Sequence, residues 1–182
     1  MVLTYSPEVK LGFDCPEFKL PIAQGGSISS TDLRATQLPF LVVFMCNHCP
    51  YVQAIDKRLR ALNHVLLALG IKMIGINSND SSQYPEDSFA NMQLKNYPFP
   101  YAIDENQVAA KSFGAVCTPD FFLFNQAAKL CYRGRLDDNW KDGNLVTRQE
   151  LLEAAIQLRL CGELNLTFKL SPSMGCSIKW KA

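Results

Sequence analysis

Between residues 38 and 45 the chain reads LPFLVVFM, apolar without a break and rich in β-branched and aromatic side chains. A strand with one wet face alternates polar and apolar positions, so this run predicts a central strand buried on both faces. From residue 51 the period changes. Val52, Ile55, Leu59, Leu62, Leu66 and Leu69 recur at spacings of three and four, while Asp56, Lys57, Arg58 and Arg60 fall on other faces; that predicts a helix with one stripe turned to a core. Gly70 ends it, because glycine takes the left-handed conformation that closes a helix with least steric penalty. IKMIGI at 71–76 is a second apolar strand. A strand, helix and strand in so short a span imply a right-handed parallel crossover, and therefore an α/β fold.

Further along, NSNDSSQYPEDS at 77–88 predicts a loop leading into a helix near 88–95. FFLF at 121–124 and KLCYRG at 129–134, separated by NQAA, predict an antiparallel hairpin, and a helix is expected over about 148–160. LNLTFKL at 164–170 alternates like a strand and is expected as an added edge element before the tail SPSMGCSIKWKA. With no internal repeat, low-complexity tract or linker, the expectation is one domain over 1–182, with a core of about 10–161 and an extension over 162–182.

Composition narrows the chemistry. A chain of 182 residues buries an ordinary core without a web of disulfides, which leaves its cysteines for other work. A formal net charge of +1 with 19% charged residues gives no broad basic face for nucleic acid and no acidic tail. No basic stretch followed by an apolar run of ~7–15 residues stands near the N-terminus, and no segment approaches the ~18 apolar residues of a membrane span. The expectation is a cytoplasmic monomer or homodimer with small-molecule or protein partners, and with neither nucleic acid nor membrane among them. Its seven cysteines are an odd number, standing singly at Cys15, Cys117, Cys131, Cys161 and Cys176 apart from the close pair Cys46 and Cys49. That is not the paired framework of a secreted mini-protein.

The close pair lies in MCNHCPY at 45–51. A redox couple, half of a metal site and a structural crosslink all begin from two cysteines so spaced, and in a reducing compartment the first two lead. With Cys46 at the end of a buried strand and Cys49 in the first turn of the next helix, the Cys46 thiol is expected at the helix N-terminus. Unpaired amides and the helix dipole stabilise negative charge there. A pKa below ~7, against ~8.5 for an ordinary thiol, would make Cys46 the nucleophile. Pro50 suits a first helical turn, where its missing N–H is not needed. Cys49 is then positioned to attack a mixed disulfide formed at Cys46. His48 can carry positive charge beside the thiolate, favouring the reduced form and so making the pair more oxidising. His64, deep in the helix, is expected at a surface or boundary without a role.

FKLPIAQGGSISSTDL at 18–33, FMCNHCPYV at 44–52, INSND at 76–80, CTPDFFLF at 117–124 and YRGRLDD at 132–138 resemble segments of the thioredoxin superfamily. Within it the chain resembles the peroxiredoxin-like branch of the alkyl hydroperoxide reductase and thiol-specific antioxidant (AhpC/TSA) group. The resemblance covers most of the chain and implies a thioredoxin-like fold: a central mixed sheet flanked by helices, with a C-terminal strand and tail appended. It implies that Thr118 and Pro119 form the cis-proline turn facing the CxxC, with the Thr118 carbonyl and amide open to an incoming peptide or thiol substrate.

The chain also departs from its relatives. Peroxiredoxins carry a threonine three residues before the peroxidatic cysteine and a proline four before that; with Cys49 in that position, Cys46 and Val42 stand there instead. The arginine that binds their thiolate has no counterpart in TPDFFLF. Thioredoxins usually place tryptophan directly before the first cysteine and a buried aspartate six before it, where this chain has Met45 and Phe40. Asp120 is then the remaining candidate for a proton acceptor of Cys49. Cys117, two residues before the turn proline, and Cys176, on a tail able to fold over the site, are candidate additional redox thiols. Cys15, Cys131 and Cys161 read as buried small hydrophobes.

The expected function is thiol-disulfide exchange through Cys46 and Cys49, with protein or small-molecule disulfides as substrates, an external thiol as reductant, and no cofactor or metal. Two alternatives stand beside it. One is a thiol peroxidase with Cys49 as the peroxidatic cysteine. The other is a soft-metal carrier of copper type in which His48 joins the cysteine pair, no second CxxC being present to complete a zinc set.

Overall fold

A computed structural model of the chain describes residues 3–8, 10–139 and 148–181. In chain order the strands are β1 (Leu3–Tyr5), β2 (Lys19–Pro21), β3 (Ser27–Ser29), β4 (Phe40–Phe44), β5 (Lys72–Asn77), β6 (Tyr101–Ile103), β7 (Cys117–Thr118), β8 (Asp120–Phe124), β9 (Leu130–Gly134) and β10 (Met174–Ser177). The helices are α1 (Ser30–Ala35), α2 (Pro50–Ala68), α3 (Phe89–Leu94), α4 (Val108–Phe113) and α5 (Glu150–Cys161).

Five strands form the main sheet in the order β6-β5-β4-β8-β9. β4 pairs parallel with β5 and antiparallel with β8, so the sheet is mixed, as expected. The unbroken apolarity of β4 has its cause in the two cores it serves. Leu41, Val43 and Met45 face one core with the α2 stripe of Val52, Ile55, Leu59, Leu62 and Leu66. Phe40, Val42 and Phe44 face the other, with Leu33 of α1 and Phe113 of α4. β8 divides the same way, Phe121 and Leu123 to one side and Phe122 and Phe124 to the other. Each such side chain contributes ~1.5–3 kcal/mol by burial, so the end of β4, where the cysteine pair begins, rests on a firm platform.

Two expectations about the C-terminal part fail. LNLTFKL forms no strand; Leu164, Leu166, Phe168 and Leu170 lie half-buried against the core that α2 covers. Alternation specifies which side chains face inward, whereas a ladder also needs a sheet edge to join. That edge is found further on, where β10 runs antiparallel between β1 and β7. Cys161 is exposed and Cys131 half-buried, with only Cys15 of that trio fully buried. Cys161 ends α5 off its inward stripe of Leu151, Ala154, Ala155 and Leu158.

Candidate active site

Met45 extends β4 by one hydrogen bond, its N–H donating to the Ile76 carbonyl (2.9 Å), and the 46–49 loop then turns into α2. The helix begins at Pro50 with Cys49 as its N-cap residue. Cys49, rather than Cys46, therefore stands at the amide-rich end, one residue earlier than expected. The loop is anchored by a residue the sequence did not single out. Asp87, fully buried, accepts from the Asn47 N–H (2.6 Å), the His48 N–H (3.4 Å), His48 Nδ1 (2.6 Å) and Asn79 Nδ2 (2.7 Å). Asn47 also reaches back through Nδ2 to the Glu86 carbonyl (2.8 Å).

Thr118 and Pro119 are joined by a cis peptide bond and face the pair, as expected. The Thr118 hydroxyl lies 3.4 Å from Cys46 Sγ, and the Thr118 carbonyl oxygen 3.2 Å from Cys49 Sγ. The outer side of Thr118 is not open to a substrate, however. β10 pairs with it, Cys176 standing opposite Thr118 and Ser177 opposite Cys117. The approach is so close that a Cβ on Gly175 would sit 1.9 Å from the Thr118 oxygen, which leaves room for glycine alone. The chain thus covers the edge at which a substrate was expected, and both sulfur-bearing residues are buried, Cys46 at 1% exposure and Cys49 at 0%.

The charge distribution reverses the expected order of acidities. Cys49 is held down to about 5, chiefly by the Cys46 thiol donating to its sulfur, with Cys176 and Thr118 acting the same way against the upward push of burial. The Thr118 carbonyl is the opposing contact, since only a thiol can serve it. Cys46 is pushed well up by its bond to Cys49, by burial and by the negative charge of Asp87. His48, expected to lower Cys46, has its Nδ1 turned to that carboxylate instead. The two sulfurs share one proton, and the first charge resides on Cys49.

A model of the AhpC/TSA family matches residues 11–133. The chain belongs to the AhpC/TSA family. A crystal structure of an uncharacterized conserved protein from Geobacillus kaustophilus is 38% identical, the match covering 100% of this chain and 97% of that one at a TM-score of 0.91. A hypothetical protein from Sinorhizobium meliloti 1021 is 34% identical over 98% of this chain and 99% of its own, at 0.89. A putative thiol:disulfide interchange protein DsbE from Chlorobium tepidum, at 20% identity, shares the thioredoxin-like fold over 84% of this chain and 99% of its own (TM-score 0.59). No curated protein matches the chain.

Within this AhpC/TSA protein the remaining expected residues divide clearly. Asp120 is committed elsewhere, its carboxylate 2.7 Å from the buried Arg133 guanidinium. Cys117 is buried, and among the described residues no hydrogen bond joins it to either sulfur of the pair; burial pushes its thiol up. Cys176 does reach the pair: it stands opposite Thr118 in the same buried cluster and helps to hold the Cys49 thiol down. His64 is exposed on α2. Cys46, His48 and Asp87 offer ligand atoms within 4.8 Å of one another, a spacing compatible with a cation. Both oxygens of Asp87 already accept two hydrogen bonds each, which fits an anchor better than a ligand. His48 Nε2 is buried without a partner among the described residues, leaving it and the sulfurs as the soft donors. No helix of the described residues is long and apolar enough to cross a membrane.

Proposed function

We propose that the protein is a thiol-disulfide oxidoreductase working through a Cys46–Cys49 dithiol/disulfide couple. The observation that carries this reading is the meeting of both sulfurs at Thr118 beside the cis turn, Cys46 Sγ against its hydroxyl and Cys49 Sγ against its carbonyl. Cys49 is the internal base the sequence lacked. As a substrate disulfide approaches, the Cys46 proton passes to Cys49, Cys46 attacks one substrate sulfur, and the other leaves as a thiolate that takes this proton from Cys49. The Cys49 thiolate then displaces the first sulfur from Cys46, closing the bridge and releasing that sulfur as a thiolate, which solvent protonates. Cys46 is the attacking sulfur because Cys49 is enclosed by Cys46, Thr118 and Cys176, whereas Cys46 lies beside His48, which lines an open surface cleft with Asn47, Gln53 and Glu86. Substrates are protein or small-molecule disulfides, and an external thiol returns the couple to its reduced form.

The lowered pKa of Cys49 favours one second reading, a peroxidase in which the Cys49 thiolate attacks a peroxide small enough to enter the closed site. Substitution separates them. Exchange predicts that Cys49→Ser traps a disulfide substrate as a stable covalent complex while Cys46→Ser traps none. Rapid, saturable peroxide consumption that vanishes in Cys49→Ser, with sulfenic acid on Cys49 in the unmodified protein, would replace the first reading by the second.

A further inference from the structure

The cysteine pair has a third thiol against it. β10 carries Cys176 to a position opposite Thr118, the residue whose carbonyl lies 3.2 Å from Cys49 Sγ. Cys176 is 1% exposed, belongs to the same buried cluster as Cys46 and Cys49, and helps to hold the Cys49 thiol down. Glycine at 175 is what allows β10 to come this near, and the pairing with β1 on its other side holds it there. The Thr118 edge is where the resemblance to thioredoxins implies a substrate chain, and the protein's own cysteine-bearing strand occupies it.

We infer that Cys176 is a third redox thiol which exchanges with the couple at Cys49, moving the disulfide between Cys46–Cys49 and Cys49–Cys176. This rests on the exchange reading above and assigns its internal partner. In the oxidised protein the Cys176 sulfur attacks Cys49 Sγ; the Cys49–Cys176 bond forms as the Cys46–Cys49 bond breaks. The departing Cys46 sulfur takes the proton Cys176 gives up. One disulfide and one thiol stand on each side, so no oxidant or reductant is consumed. The step returns Cys46 to its reduced state while the oxidising equivalents remain on a bridge tying β10 to the start of α2.

Peptide mapping of the full chain, after equilibration in glutathione buffers and acid quenching, tests this. The expected result is both bridges in the unmodified protein. Their ratio should stay constant as the ratio of reduced to oxidised glutathione is varied, because the step is redox-neutral. Cys46→Ser, oxidised with diamide, should yield the Cys49–Cys176 bridge, and Cys46→Ser with Cys176→Ala should lose it. Absence of the Cys49–Cys176 peptide from either the unmodified protein or Cys46→Ser overturns the proposal, whatever the fold of the double variant. A Cys46–Cys49 bridge without a Cys49–Cys176 bridge contradicts the third thiol alone. A Cys49–Cys176 bridge without a Cys46–Cys49 bridge contradicts the exchange couple instead.

Discussion

At the scale of single residues, Asp87 organises the site without touching the sulfur chemistry by covalent means. It fixes the 46–49 loop by accepting two backbone N–H groups, and its charge opposes ionisation of Cys46. Asp87→Asn keeps the shape and removes the charge. The alkylation midpoint of Cys46 is therefore expected to move down, with stability lowered by about 1–3 kcal/mol as His48 and Asn79 lose a charged acceptor. Alkylation against pH, resolved by peptide, measures it; an unchanged or higher Cys46 midpoint would contradict the electrostatic account. The CxxC itself was legible because its spacing and its position after an apolar run are local facts. Asp87 was not, since one acidic residue in the polar stretch NSNDSSQYPEDS carries no sign that it folds back on a loop forty residues earlier. The order of acidities was misread for a related reason: it depends on which of two sulfurs three-dimensional contacts single out.

At the scale of elements, β4, α2, β5 and the β8–β9 hairpin are where periodicity put them, because each reads its own burial directly in its side chains. β10 escaped notice. Its segment MGCS is short and mixed, and its stability comes from partners at the opposite end of the chain and at residue 118. LNLTFKL, the more strand-like sequence, has its apolar side chains placed by packing without a ladder. Gly175→Ala tests what β10 does. A Cβ overlapping the Thr118 backbone must push the two strands apart, at about 2–3 kcal/mol, lowering Tm by roughly 5–10 °C. Parting them also uncovers Thr118 and the pair, so Cys46 and Cys49 should be alkylated faster below the melting transition. A lower Tm with unchanged alkylation would show that β10 does not shield the thiols.

At the scale of the whole molecule, two cores on either face of one mixed sheet carry the fold, and the pair's ionisation couples to their stability. Cys49 is held down to about 5 when folded, against ~8.5 for an ordinary thiol. Between those values the unfolded chain binds the extra proton, so the reduced protein gains stability as pH rises; the contribution is full above ~8.5 and lost as pH falls through 5. Cys15 and Cys131, pushed up to about 12 by burial, act oppositely in alkali, where the folded chain keeps protons the unfolded one releases. Urea midpoints should therefore rise between pH 5 and 8 more steeply for reduced than for oxidised protein, because a bridge removes the Cys49 titration. Equal slopes would place the first charge on another group.

The account stands on the couple itself. Its most direct measurement is a titration of the unmodified protein at pH 7 across glutathione ratios, with the thiols trapped and the Cys46–Cys49 bridge quantified by mass. A single reversible transition taking up two electrons, with that bridge formed at its oxidising end, is the predicted result. Cys46 and Cys49 thiols that persist at every ratio, or a Cys49 that carries glutathione or sulfenic acid and never joins Cys46, would contradict it.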